Sequence, residues 1–89
     1  WTLTQTLAQA LAPRIRVNGV APGPSLKAEK QSQANFDAHV KATLLQRPSA
    51  PQDIAGAVHY LLTAPAVTGQ LIAVDSGQHL AWSRDQFFE

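Results

Sequence analysis

Two short strand-like segments separated by an amphipathic helix are the feature that most restricts the fold of this chain. Residues 15–20 alternate apolar and polar side chains, which is typical of a strand. Leu71–Val74 is a continuous apolar run bounded by Gly69 and Gly77, which favours a strand buried on both faces. Strands joined through a helix usually form a right-handed, parallel unit. The sequence therefore predicts an α/β fold, in the order helix, strand, loop, helix, strand, with a sheet too small to be stable alone.

Three helices are predicted around these strands. Residues 2–12 carry a leucine stripe at helical spacing together with small alanines, and Pro13 ends the segment. Residues 33–44 form a shorter, weaker pattern. The clearest helix spans 51–63, where a core-facing stripe recurs with helical period: Ile54, Ala57, Val58, Leu61 and Leu62.

The starts of two helices leave alternatives open. The chain begins at Trp1 directly in a helical pattern, so we expect it to be part of a longer polypeptide, whereas a capping box between Thr2 and Gln5 would indicate a true helix start. Pro51 suits the first position of its helix, but a capping box between Ser49 and Gln52 would move that start by one residue. Only the atomic arrangement decides between these alternatives.

Composition excludes several classes of function. The 89 residues carry a net charge of +1 and no cysteine, so a nucleic-acid partner, disulfides and thiolate metal sites are not expected. The longest apolar run is four residues, and no membrane partner is expected either. The default expectation is a cytoplasmic protein.

The histidines raise two further hypotheses. His39, His59 and His79 show no metal-ligand spacing, so no metal site is predicted, and His59 is expected at the surface. Asp75, Ser76 and His79 contain the residue types of a serine-hydrolase triad. Because they fall within five residues, we expect them not to converge with the required orientation.

The strongest local signal for a binding site is the loop Pro22-Gly23-Pro24-Ser25, directly after the first predicted strand. Open α/β sheets bind ligands outside the carboxyl ends of their strands. Two prolines and a glycine make a rigid loop whose backbone groups can meet a flat amide or a phosphate. The alternative is an ordinary turn.

Four segments in this order resemble the C-terminal part of the short-chain dehydrogenase/reductase family. They contain Arg-Val-Asn followed by Pro-Gly, then Asp-Ile-Ala, Thr-Gly-Gln and Val-Asp, and they span residues 3–13, 15–24, 51–58 and 67–75. The resemblance implies a Rossmann-like, doubly wound parallel sheet. It makes residues 1–80 the C-terminal part of an NAD(P)-binding domain and residues 81–89 a tail.

The resemblance also implies an NAD(P)-dependent oxidoreductase, with NADP(H) favoured. The family's catalytic Tyr-x-x-x-Lys would lie just before Trp1, so no catalytic residue is expected within this chain. The expected cofactor contacts are the loop residues Pro22, Gly23, Pro24 and Ser25. Residues 25–48 match the family's substrate loop, in which Leu26 and Phe36 are the candidate substrate contacts.

The sequence departs from the usual family pattern at several positions. Lys27 stands where many members have a threonine, Asp75-Ser76-Gly77 replaces Asp-Gly-Gly, and Pro-Gly-Pro-Ser resembles pteridine reductase-like members.

The implied partners are the N-terminal portion of the same protein, a carbonyl or pterin-like substrate, and further copies in a homotetramer. The tail aromatics Trp82, Phe87 and Phe88 are expected to pack against a neighbour, and the alternative is a disordered end. The alternative function is a non-catalytic structural or oligomerisation piece.

Overall fold

The computed structural model describes residues 1–81 and confirms the α/β prediction. It contains three α-helices, two β-strands and one short 3-10 turn. In chain order these are α1 (Thr2–Leu11), β1 (Gly19–Pro22), α2 (Gln33–Lys41), α3 (Pro51–Thr63), β2 (Leu71–Val74) and the 3-10 turn Gln78–Leu80. The predicted packing of the tail aromatics lies outside the described residues.

β1 and β2 form a parallel pair, with α3 on the connection between them. The register places Gly19 beside Leu71 and Pro22 beside Val74. At the carboxyl end, the Gly23 N–H donates to the Val74 carbonyl at 3.0 Å. The loop after β1 and the turn after β2 therefore lie side by side, at the edge where ligands of such sheets bind.

The first strand lies further along the chain than predicted, at Gly19–Pro22 instead of 15–20. The Val17 N–H donates to the Thr68 hydroxyl at 3.1 Å, and the Gly69 N–H donates to the Val17 carbonyl at 2.7 Å. The stretch before Gly19 is thus hydrogen-bonded to the loop that precedes β2, not to β2 itself. The strand also continues through Ala21 and Pro22, so it includes the first residue of the predicted loop.

The side chains of Arg16 and Asn18 attach the stretch before β1 to the end of α3 and to the loop that precedes β2. The Arg16 guanidinium donates to three carbonyls at and beyond the end of α3, at 2.7, 3.2 and 3.1 Å: Leu61, Leu62 and Val67. The Asn18 side chain donates to the Val67 carbonyl and accepts from the Gln70 N–H, each at 3.0 Å. A cation at a helix C-terminus satisfies its last carbonyls and interacts favourably with its dipole.

Two helices end earlier than predicted. α1 ends at Leu11, and Trp1 at its N-cap makes no side-chain cap, so the Thr2–Gln5 capping box is not formed. α2 ends at Lys41 instead of 44, and just beyond its end the Thr43 hydroxyl donates to the Val40 carbonyl at 2.7 Å.

α3 has the predicted bounds, Pro51–Thr63. Its start is fixed by Asp53, whose carboxylate accepts from the Ala50 N–H at 3.0 Å. A carboxylate in the first turn also interacts favourably with the positive end of the helix dipole. The alternative capping box between Ser49 and Gln52 is therefore wrong.

The predicted apolar stripes are only partly covered within residues 1–81. In α3, Leu61 is buried, but Val58 is 42% and Leu62 is 71% exposed. In α1 the leucine stripe is open, with Leu3 68% exposed, while the small residue Ala8 is buried. The elements present here cover one part of each stripe and leave the rest as open apolar surface.

The last strand is likewise not buried on both faces in this part of the chain. Leu71 is 40% exposed, and burial alternates along β2. The continuous apolar run is a pattern for two covered faces, whereas within residues 1–81 the face with Leu71 and Ala73 is open. Within those residues, no helix is both long and apolar enough to cross a bilayer.

Candidate functional site

The loop 22–25 is attached closely to β2. Gly23 packs so tightly on Asp75 that a Cβ at this glycine would lie 2.7 Å from the Asp75 Cα and 2.8 Å from its Cβ. Backbone atoms cannot yield to a side chain as the end of a flexible residue can. Gly23 is therefore needed for close approach of the two chain segments, and it brings the carboxyl ends of β1 and β2 together.

A second attachment fixes the other end of the loop. The Ser49 N–H, just before α3, donates to the Pro24 carbonyl at 3.0 Å. Ser49 is 2% exposed, and within the described part of the chain its hydroxyl has no hydrogen-bond partner. The loop is thus held from β2 on one side and from the start of α3 on the other.

The backbone groups that remain unused define what this loop can bind. Among the hydrogen bonds of residues 1–81, none uses the Gly23 carbonyl, the Ser25 N–H or the Ser25 hydroxyl. A primary carboxamide needs one acceptor and one donor, and a phosphate needs donors. A fixed loop with a free carbonyl, a free N–H and a hydroxyl therefore offers the kinds of group that a carboxamide or a phosphate needs.

The candidate substrate residues differ in accessibility. Leu26 is 74% exposed and directly follows Ser25, whereas Phe36 is half-buried in α2. The Lys27 amine donates to the carbonyls of Ala28 and Gln31 at 3.3 and 3.0 Å. The amine therefore closes the loop on itself.

A tight turn at residues 75–79 follows β2. The carboxylate of Asp75, which is 6% exposed, accepts from the backbone N–H groups of Gly77 and His79, each at 3.0 Å. It also lies 2.8 Å from the His79 Nδ1. Because an ionised carboxylate only accepts, Nδ1 carries the proton of this bond. The expectation that Asp75, Ser76 and His79 do not converge is wrong for the aspartate and the histidine.

Three hydrogen bonds to one buried carboxylate shift its ionisation. Burial raises the pKa of Asp75, but the bonds from the His79 side chain and from the His79 and Gly77 N–H groups lower it by more, so the pKa lies below its ordinary value. Asp75 is therefore held as the anion that the turn requires.

The same turn contacts the end of the predicted substrate loop. The Leu45 N–H donates to the Ser76 carbonyl at 2.9 Å, and the Leu44 side chain lies over Gly77, where an added Cβ would come within 2.8 Å of it. Sequence reasoning missed this arrangement. The i, i+4 spacing of Asp75 and His79 around two small residues was the available signal.

The geometry gives little support to a serine hydrolase or to a metal site. Within residues 1–81, no hydrogen bond joins the Ser76 hydroxyl to the His79 ring, so the nucleophile–base contact of a hydrolase is not formed. In the same residues, no three His, Cys, Asp or Glu side chains lie close enough together to hold a metal ion. His59 is exposed on α3, as predicted.

Comparison with known proteins decides the family. The family model described as enoyl-(acyl carrier protein) reductase matches residues 1–79. The short-chain dehydrogenase/reductase homolog YusR of Bacillus subtilis is 40% identical over 79 residues, which cover 88% of this chain and 61% of YusR. The chain belongs to the short-chain dehydrogenase/reductase family. The resemblance carried by Arg-Val-Asn, Pro-Gly and the later segments is thereby confirmed.

Two further relatives refine the likeness. The crystal structure of FolM, alternative dihydrofolate reductase 1 from Brucella suis, in complex with NADP, matches with a TM-score of 0.87 and 49% identity, over 93% of this chain and 34% of that one. Dihydromonapterin reductase of Citrobacter koseri is 33% identical over 88% of this chain and 32% of its own length. The fold is therefore the C-terminal part of a Rossmann-like, doubly wound sheet, and the chain spans about a third of the length of these two relatives.

Proposed function

We propose that this chain supplies the nicotinamide-side loop and the substrate lid of an NADP(H)-dependent reductase that acts on a dihydropterin-like substrate. The observation that carries the proposal is the loop 22–25, fixed at the carboxyl end of β1 with unused backbone groups, in a chain whose fold matches an NADP-bound reductase. The names of the pterin and folate reductases among its relatives support the substrate class.

In this proposal the loop orients the cofactor and performs no chemistry itself. The Gly23 carbonyl accepts from the carboxamide amine, and the Ser25 N–H and hydroxyl donate to the carboxamide or to a phosphate. Pro22 and Pro24 keep the loop rigid, so that little conformational entropy is lost on binding. The bound cofactor would supply the hydride, and the catalytic tyrosine and lysine of the family would come from another part of the protein.

Residues 25–48 form the substrate lid of the proposed reductase. Leu26 is exposed beside the cofactor loop, so it is the better placed of the two candidate contacts, while Phe36 is half-buried in α2. Lid closure over a bound substrate excludes water from the site and completes it.

We further propose that residues 1–80 are the C-terminal part of the NAD(P)-binding domain and residues 81–89 a tail. The apolar surface left open on α1, α3 and β2, including Leu3, Leu62 and Leu71, supports covering by the remainder of the domain and by other subunits of a homotetramer. A cytoplasmic location accords with a nicotinamide-dependent enzyme of this kind.

The test is NADPH oxidation by the full-length gene product with dihydropterin and dihydrofolate substrates, in wild type and in two variants of one position. Ser25→Ala removes the hydroxyl and keeps the N–H, whereas Ser25→Pro removes both. We expect a small effect for the first and a rise of about tenfold or more in the KM for NADPH for the second, because a misplaced cofactor contact costs on that order.

Each outcome separates parts of the proposal. NADPH oxidation with carbonyl compounds but with neither pterin nor folate would leave the cofactor role and remove the substrate class. A folded protein that neither oxidises nor binds NADPH would favour the non-catalytic structural piece.

A further inference from the structure

We propose that the Asp75–His79 pair is a positioning element, which sets the place of both the nicotinamide loop and the substrate lid. The inference deepens the proposed function and rests on it. It concerns residues that touch neither cofactor nor substrate in that proposal, and it assigns them a role through the 75–79 turn.

The first step is the contact between the turn and the loop. Gly23 packs on the backbone of Asp75, with no room for a single added carbon. The Gly23 N–H also donates to the carbonyl of Val74, the residue directly before Asp75. Any movement of the Asp75 backbone is therefore transmitted to Gly23, whose carbonyl faces the cofactor in our proposal. The transmission is steric and needs no intermediate residue.

The second step is the contact between the turn and the lid. The Ser76 carbonyl holds the Leu45 N–H at 2.9 Å, and Gly77 provides the surface on which Leu44 lies. These leucines lie near the end of the segment 25–48, so one turn contacts both the cofactor loop and the C-terminal part of the lid.

The third step is what holds the turn itself. Ser76 and Gly77 are consecutive residues with positive φ, 53° and 81°, and the first of these is a conformation that a serine rarely adopts. The buried Asp75 carboxylate stabilises this backbone through three donors, two from main-chain N–H groups and one from the His79 ring. The ring bond is the one a substitution removes without altering the backbone.

The test compares His79→Leu, His79→Asn and the control His59→Leu in the full-length gene product. Asparagine places an amide nitrogen at the position of Nδ1 and can restore the bond to Asp75. His59 is exposed on α3, and its ring makes no hydrogen bond within residues 1–81. The readouts are the KM for NADPH and kcat per folded enzyme, and amide hydrogen exchange at Gly23 and Leu45.

We expect His79→Leu to raise the KM for NADPH about tenfold and to accelerate exchange at both amides, with His79→Asn close to wild type and His59→Leu unchanged. Folded His79→Leu with wild-type KM and wild-type exchange would overturn the inference. If His79→Leu does not fold, His79→Gln, which moves the donor by one bond, replaces it under the same criteria.

The exchange measurement separates this inference from the proposed function. If the wild-type protein does not use NADPH, the proposed function fails, yet faster exchange at Gly23 and Leu45 in the leucine variant would still establish the positioning role of the pair. Unchanged exchange with NADPH activity intact would remove the inference alone.

Discussion

Gly23 gives the sharpest test of how the two strand ends are joined. In Gly23→Ala the added Cβ would lie 2.7 Å from the Asp75 Cα and 3.1 Å from the Asp75 carbonyl oxygen. Both are main-chain atoms at the end of a paired strand, so relief requires the carboxyl ends of β1 and β2 to separate. Overpacking of this kind typically costs about 1–3 kcal/mol of unfolding free energy.

Gly56 offers a matched control with the opposite sign. It lies within α3, and among residues 1–81 a Cβ there would meet nothing within 4 Å. Replacing a mid-helix glycine with alanine usually stabilises a protein by about 0.5–1 kcal/mol. The same chemical change is therefore expected to destabilise at one position and stabilise at the other.

The assay is urea unfolding of the full-length wild type, Gly23→Ala and Gly56→Ala at one protein concentration, because assembly shifts the apparent stability. Titration with NADPH follows, and weaker binding is expected for Gly23→Ala only. Gly23→Ala at least as stable as Gly56→Ala would refute the steric reasoning.

Two further predictions concern Arg16 and Asp75. Arg16→Met should lower the free energy of unfolding by about 1.5–3 kcal/mol, because a charged donor to three carbonyls is lost. Arg14→Met is an exposed control without side-chain hydrogen bonds in residues 1–81, and it should have little effect. Equal losses of stability in the two variants, measured by urea unfolding, would contradict this prediction. Because the pKa of Asp75 is lowered in the folded state, its stabilising contribution is present above the unfolded-state pKa of about 3.9 and is lost as the pH falls through the folded value. Stability measured across this acid range should fall less steeply in Asp75→Asn than in wild type, and parallel curves would show that Asp75 does not contribute.

The elements that the sequence predicted well are those whose signals are local. α3 begins at Pro51 and carries a regular apolar period, and β2 is an apolar run between turn residues, so both have the predicted bounds. β1 was misplaced because Arg16 and Asn18 direct their side chains to residues about fifty positions away, and no local pattern reports such bonds.

The apolar stripes show a second limit of sequence reasoning. The leucines of α1 indicate correctly which face requires cover, but a pattern does not tell whether that cover lies in the same segment. Here Ala8 is buried against Gly69, and Leu3 and its neighbours remain exposed. The small residues, not the large ones, make the close contact within residues 1–81.

The sequence predicts where the candidate loop lies, but not the contacts that hold it there. Pro22 to Ser25 follow a strand, and the general rule for ligand position in open sheets identifies that loop. In the sequence, Asp75 and His79 suggest only two members of a serine-hydrolase triad. The significance of the pair depends on Gly23 and Leu45, which approach the turn from distant parts of the chain.

In the proposed reductase, the loop after β1 meets the nicotinamide. The most direct measurement is the amide spectrum of the full-length gene product labelled with nitrogen-15 at serine and glycine, titrated with NADPH. Ser25, in the loop, should shift strongly on binding, while Gly56, exposed on α3, should stay in place. Saturable binding of NADPH with Ser25 unmoved would contradict the account.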